Sequence, residues 1–332
     1  MLQTRFTEMF GLAHPVMSAP MALHSGGTLA AAVSAAGGLG CFGGTHPWKG
    51  SNWIRAEIAT IRATTDRPFA VGFITPFLPF TESLFDATLA ERPDVVALSF
   101  ADPQPWLGRA KEAGARVMCQ VQNYEDAEAA VAAGADVLVA QGNEAGGHTG
   151  AMGVLPFLAG IVRRYPDVPV LAAGGIGDGR TLAAVLTAGA DGALLGTTFL
   201  ATPEAVEVHD LHKRLIVASD GSDTVWTRAF DIVSGLPWPN TIAERVRRNR
   251  FTDEWSERES TLRDRAEEFR PAEGTSPVGA PPDPDTGEII YGQSASFVDD
   301  VRPAAEVVRA ISAEAEAILD TRPRSLLGRP AS

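Results

Sequence analysis

Residues 140–150, AQGNEAGGHTG, set one imidazole and one carboxylate among four glycines, just after the apolar run 137–139. An unperturbed imidazole titrates at about pH 6.5, so it can take or give a proton near neutrality. That makes His148 the candidate catalytic residue. It can serve as a base toward an acidic C–H or, once protonated, hold an anion. Glu144 has three open roles: orienting His148, binding substrate or bracing the loop. Four glycines exceed the needs of a simple turn, and they let backbone pass close to a flat ligand.

Two later glycine clusters read as an anion site. AAGGIGDGRTLAAVL (172–186) puts Gly174, Gly175 and Gly177 between an apolar run and a helical stretch. LLGTTFL (194–200) adds Gly196 and the hydroxyl of Thr197. Glycines allow backbone N–H groups to approach a phosphate, and a helix N-terminus favours negative charge. GGIGDG is not a dinucleotide fingerprint. Its spacing departs from G-x-G-x-x-G, it lies late in the chain, and no acidic ribose partner is evident.

The elements that must position these loops alternate along the chain. Eight apolar runs occupy residues 15–21, 39–43, 69–75, 95–100, 116–121, 137–141, 170–173 and 193–197. Helical stretches between them include 28–36, 53–63, 126–133, 155–165 and 180–188. Alternation of this kind implies parallel strands with crossover helices, and near-continuous apolar strands suit a sheet buried on both faces. Eight units predict an α/β fold, a (β/α)8 TIM barrel; an open doubly wound sheet is the alternative. EAGARVM (112–118), AAGADVLVAQG (132–142) and TAGADGALLGT (187–197) share Ala-Gly-Ala before an apolar run, so each glycine marks a helix-to-strand joint. The texture changes after residue 200. Residues 204–218 and 241–270 read as helical and charged, and 271–287 as an irregular Pro/Gly-rich loop. The expected division is a barrel from 1–200 and 286–332, with a small helical domain at 201–285 inserted after the eighth strand. A helix is expected over 303–319.

In such a barrel the chemistry lies at the C-terminal strand tips. Those tips are small or polar, which is a poor lining for a metal and a good one for a flat organic cofactor. The chain has 332 residues and a formal charge of −13, which argues against nucleic acid or an anionic membrane as partner. Two cysteines, Cys41 and Cys119, lie in separate apolar runs. With no secretory signal and no apolar run of membrane-spanning length, a reducing cytoplasm is the expected location.

Four segments, PVMSAPMA (15–22), AQGNEAGGHTG (140–150), VLAAGGIGDGR (170–180) and GADGALLGTTFLAT (189–202), together resemble the nitronate monooxygenases, formerly 2-nitropropane dioxygenases. The resemblance extends to FMN-dependent enoyl-acyl-carrier-protein reductases and flavin-dependent NADH:quinone reductases. It covers about residues 10–202 and resumes at YGQSASFVDDVRPAAEVV (291–308). It implies FMN on a (β/α)8 barrel. Ala19, Pro20, Met21 and Ala22 would lie against the isoalloxazine, and Thr75, Gln120 and Gln141 would border the ring or ribityl chain. Gly174, Gly175, Gly196 and Thr197 would bind the phosphate, with Gly146, Gly147, Ala173 and Gln293 also at the cofactor. His148 matches the catalytic histidine. One departure stands out: Ser18 replaces a glutamine common before Ala-Pro-Met in the family.

The resemblance implies oxidation of alkyl nitronates with O2. The alternative is an NAD(P)H-dependent FMN reductase of the enoyl-thioester or quinone type; a flavin-binding scaffold without turnover is a third reading. A small substrate and O2 are the expected partners, and oligomeric state, a homo-oligomer included, stays open. His24 and His46 follow the first two strand tips, while His209 and His212 share a helical face and read as solvated. Of Trp226, Trp238 and Trp255, one is a candidate cap for the substrate pocket.

Overall fold

A computed structural model describes residues 2–270 and 279–328. Residues 271–278 of the expected Pro/Gly-rich loop lie outside the described residues. The strands are β1 Val16–Ser18, β2 Gly40–Gly43, β3 Phe69–Ile74, β4 Val95–Ser99, β5 Arg116–Val121, β6 Val137–Gln141, β7 Gly147–Thr149, β8 Val170–Ala173, β9 Gly192–Leu195, β10 Thr224–Thr227 and β11 Ala243–Arg247. Eight of them pair in parallel in the order β1-β9-β8-β6-β5-β4-β3-β2. A parallel bridge between Met17 and Leu39 joins the two ends of that order. The fold is a (β/α)8 barrel, and its eight strands fall on the eight apolar runs.

Both faces of each strand are buried, which explains the uninterrupted apolar runs. Met17, Leu39, Ala70, Val95, Ala97, Met118, Val139 and Leu171 fill the barrel interior, and Phe6 and Leu12 of the N-terminal segment join that cluster. Their neighbours Val16, Phe42, Val71, Val96, Leu98, Val117, Leu138 and Ala172 face the surrounding helices. The repeated Ala-Gly-Ala joints behave as expected: Gly114, Gly134 and Gly189 have φ of 91°, 90° and 104°, which an L side chain resists. The last helix, Ala304–Leu326, runs longer than its sequence signal and packs on the helix Gly179–Thr187. There Glu314 accepts from Gly179 N at 2.9 Å.

The seam between β1 and β2 depends on Ser18. Its side chain is fully buried; Oγ donates to the Cys41 carbonyl at 3.1 Å and accepts from Cys41 N at 2.7 Å. One hydroxyl thus replaces two ladder bonds where the barrel closes. The residue that departs from the family pattern is a structural staple and does not line the cavity described below. Ser18→Ala leaves both Cys41 groups unpaired in a dry seam. It is expected to cost about 1–3 kcal/mol, read as a lower denaturant midpoint with an unchanged slope.

The stretch after residue 200 differs from the helical expectation in one respect. It does carry helices, at Asp210–Val217, Ala229–Ser234, Arg250–Trp255 and Glu259–Asp264. It also carries β10 and β11, which extend with β7 into an antiparallel sheet of order β10-β11-β7. Residues 243–247, AERVR, hold three charged residues and a single β-branched one, too little to reveal a strand; pairing with β7 decides their conformation. No helix among the described residues is long and apolar enough to cross a membrane.

Candidate active site

The C-terminal ends of the barrel strands surround one cavity. The tip of β1 brings Ala19, Pro20, Met21 and Ala22 into its wall, held by Ala19 N donating to the Leu195 carbonyl at 2.8 Å. Pro20 reaches its place because β3 offers Gly72: a Cβ there would stand 2.1 Å from Pro20 Cβ. Gln120 and Gln141 line the cavity from β5 and β6, as do Ala173, Gly174 and Gly175 after β8 and Gly196 and Thr197 after β9. Gly146, Gly147 and His148 enter from β7.

The expected glycine loop is partly a strand. β7 pairs with β11 in antiparallel register, His148 opposite Glu244 and Gly147 opposite Arg245. Gln141 Nε2 donates to the His148 carbonyl at 3.1 Å, and Gln141 Oε1 accepts from Gln122 Nε2 at 2.8 Å. The backbone of His148 is therefore clamped from the barrel and from the later excursion. Its Nε2 lies 2.8 Å from Asp231 Oδ1. The ring stacks on Trp238 at 3.7 Å with planes 14° apart. Phe100 meets Trp238 edge-on at 5.1 Å, and Phe77 does so from another side at 5.1 Å. Phe100 takes φ of 66°, an unfavourable conformation for a bulky residue, held here by that aromatic packing.

Glu144 is a brace. Both its carboxylate oxygens accept from Val154 N, at 3.0 and 2.9 Å, so it caps the next helix and does not touch His148. Its carbonyl accepts from Gln293 N at 2.9 Å, which docks the returning segment. Gly146 and Gly292 make that docking possible, since a Cβ on Gly146 would stand 2.5 Å from the Tyr291 carbonyl carbon.

The family model for nitronate monooxygenase matches residues 3–83 and 80–314. The chain belongs to the nitronate monooxygenase family. This is a family of flavin-dependent oxidoreductases in which FMN is the usual cofactor. A nitronate monooxygenase of Neurospora crassa is 32% identical over 342 residues, 91% of this chain and 89% of that protein. A Mycobacterium tuberculosis protein named (3aS,4S,5R,7aS)-5-hydroxy-7a-methyl-1-oxo-octahydro-1H-indene-4-carboxyl-CoA dehydrogenase is 33% identical over 238 residues. That match spans 71% of this chain and 65% of the relative's own length. The structure of FabK from Thermotoga maritima superposes with a TM-score of 0.84 at 31% identity, covering 99% of each chain.

The cavity fits the family's flavin at its phosphate end. Gly174 and Gly175 have φ of 101° and 67°, turning their backbone across the mouth of β8. A Cβ on Gly196 would meet only Met21 Sδ at 3.6 Å and Ala19 Cβ at 3.7 Å, so the missing side chain leaves a cradle open to the cavity. Thr197 Oγ1 accepts from Gly292 N at 2.8 Å, which leaves its O–H to donate into that cradle. Among the described residues no Lys, Arg, Asp or Glu lines the cavity, so backbone dipoles and hydroxyls would carry a phosphate.

Two residues expected at the flavin of this nitronate monooxygenase family member stand elsewhere. Thr75 is buried but outside the cavity, because a 3-10 helix, Thr75–Phe80, starts there and turns it away; Phe73 and Ile74 line the cavity instead. Gln293 is exposed and works through its backbone, while its neighbours Tyr291 and Ser294 reach the wall. Trp238 is the tryptophan that covers the cavity. Asp231 is hard to find in sequence: it lies 83 residues from His148, and its one local signal is an acid inside the apolar segment AFDIVS.

The other histidines divide. His24 lines the cavity and meets His212 edge-on at 5.8 Å. His212 is buried, not solvated as its helical face suggested; Nε2 lies 2.9 Å from the Ile290 carbonyl. Burial, then His24, pushes the His212 pKa down to about 4, and burial lowers that of His24. His46 is buried against Trp53 at 5.0 Å and does not line the cavity. Cys41 and Cys119 are free and buried, with burial pushing both thiols up, Cys119 to about 12. No group of three or more metal-ligating side chains is present among the described residues.

Proposed function

We propose that this chain is an FMN-dependent nitronate monooxygenase, oxidising alkyl nitronates, and the nitroalkanes that form them, with O2. The observation that carries the reading is the His148 imidazole, bonded to Asp231 at 2.8 Å and set in the wall of a cavity whose other ionisable side chains, among the described residues, are His24 and Tyr291. Bound FMN supplies the electron acceptor for the substrate and the route from it to O2. Gly174, Gly175, Gly196 and Thr197 hold its phosphate, and the backbone from Ala19 to Ala22 supports its ring. Gln120 and Gln141 border the ring or ribityl chain.

His148 takes the acidic α-proton of a neutral nitroalkane. The resulting imidazolium stands beside the nitronate it has produced and holds that anion by charge. Trp238, Phe100 and Ile290 keep the reacting face dry, which strengthens the attraction. We assign the substrate side to residues 201–285, because Asp231 and Trp238 both come from there.

A second reading keeps the same site: an NAD(P)H-dependent FMN reductase acting on an enoyl thioester or quinone. The name of the Mycobacterium tuberculosis relative, a carboxyl-CoA dehydrogenase, favours thioester chemistry. The two readings separate without oxygen. Mixed anaerobically with an alkyl nitronate, the yellow protein is expected to lose its flavin absorbance near the visible maximum, and with NADH to keep it. The reverse result rejects the monooxygenase reading in favour of the reductase. A protein that purifies colourless and takes up no FMN removes both.

A further inference from the structure

We propose that Asp231 is the positioning residue of the catalytic histidine, and that the proton-accepting atom of His148 is Nδ1. This deepens the reading of His148 as a base and rests on it. His148 Nε2 and Asp231 Oδ1 are 2.8 Å apart. A carboxylate oxygen only accepts, so Nε2 carries the hydrogen, and in the neutral ring the lone pair falls on Nδ1. Among the described residues Nδ1 has no hydrogen-bond partner, and the ring borders the cavity.

The bond sits in a protected place. The His148 and Asp231 side chains are 16% and 10% exposed, so water competes little for either partner. Among the described residues Asp231 Oδ2 is buried with no donor, which leaves the imidazole as the hydrogen bond this carboxylate makes. The helix that carries it, Ala229–Ser234, is itself fixed. Ala229 N donates to Thr227 Oγ1 at 3.1 Å, and Arg228 reaches Glu259 with Nε at 3.1 Å and Nη2 at 2.8 Å. Glu244, opposite His148 across the sheet, is wholly buried. Burial, then Glu288 and Asp231, hold its carboxyl well above the usual range, which works against a competing charge there. Trp238 covers one ring face at 3.7 Å, which blocks the ring flip that would exchange the two nitrogens.

The step then balances. The α-C–H bond of the nitroalkane breaks, its proton passes to Nδ1, and the electron pair moves onto the nitro oxygens. The imidazolium keeps Nε2–H on Asp231 throughout.

Protein labelled with 15N-histidine and loaded with FMN tests the assignment before any turnover. The His148 signals, identified by their loss in His148→Gln, are expected to show a protonated Nε2 and a bare Nδ1 in the neutral ring. The opposite tautomer overturns the proposal. Asp231→Asn can turn its amide toward Nε2 and donate, so it is expected to shift the ring toward Nδ1–H. With it, kcat on a neutral nitroalkane should fall at least roughly 100-fold, the span of a lost general base, while preformed nitronate is still turned over. Asp231→Glu, which keeps the acceptor, should restore part of that loss. An unchanged tautomer in Asp231→Asn, or equal losses on both substrates, overturns the positioning role. A protein with the Nε2–H tautomer and no nitroalkane turnover defeats the monooxygenase reading and leaves the atom assignment standing.

Discussion

His148→Ala is expected to lower kcat/KM for a neutral nitroalkane by roughly 10²–10⁴-fold, the usual worth of a positioned general base. The loss on preformed nitronate should be smaller, because that substrate arrives already deprotonated. The variant should still bind FMN, since the proposed phosphate cradle is Gly174, Gly175, Gly196 and Thr197, none of which touches the imidazole through a hydrogen bond. Truncation also strips the Asp231 carboxylate of its donor in a nearly dry setting, and an unpaired buried carboxylate is costly. His148→Gln is the companion variant: its amide can still donate to Asp231, so fold and chemistry are read separately. Steady-state rates on a nitroalkane and its nitronate, set beside melting curves, decide the matter. Equal turnover by wild type and both variants removes His148 from the mechanism.

Gly196→Val is expected to produce a folded, colourless protein. Gly196 lies at αR dihedrals, φ −107° and ψ −74°, which a side chain can adopt. The first atom added there has room, with its nearest neighbours at 3.6 and 3.7 Å on Met21 and Ala19. The space is available only while nothing else occupies it. A valine fills the cradle and pushes a phosphate away from Thr197, so FMN affinity should fall at least about tenfold, or about 1.4 kcal/mol. Flavin absorbance per polypeptide and quenching of FMN fluorescence on titration measure the effect, and circular dichroism checks the fold. A valine variant that purifies fully yellow would show that the phosphate lies elsewhere. The same substitution at Gly174 would be a poorer test: its φ is 101° and a Cβ would stand 2.8 Å from the Gly142 carbonyl, so fold and ligand would fail together.

The barrel was legible because its signals are local. Each buried strand writes itself as a short apolar run, and Gly114, Gly134 and Gly189 mark the joints by a backbone requirement that only glycine meets cheaply. The glycines at the cavity wall were legible for the same reason, since Gly174, Gly175 and Gly196 are absences of side chain at strand tips. Thr75 stands at a strand tip in sequence, but a 3-10 helix begins there and places it outside the cavity wall, which residue order does not record. Gln293 docks through its backbone, and backbone work leaves no mark on residue type.

His148 could be named from its glycine-rich surroundings, but its chemistry could not. The sequence by itself determined the strand order of the barrel, the glycine cradle and the presence of one imidazole at the sixth strand's tip. Tertiary structure decided which carboxylate that imidazole meets. Glu144, four residues away, turned to cap a helix, and Asp231, 83 residues away, took its place. Tertiary structure also made residues 243–247 a strand and laid Trp238 on the ring. The reason is physical. Local patterns are fixed by what each residue needs from its neighbours in sequence, whereas a hydrogen bond between distant side chains depends on where packing brings two elements together, and no periodicity records that.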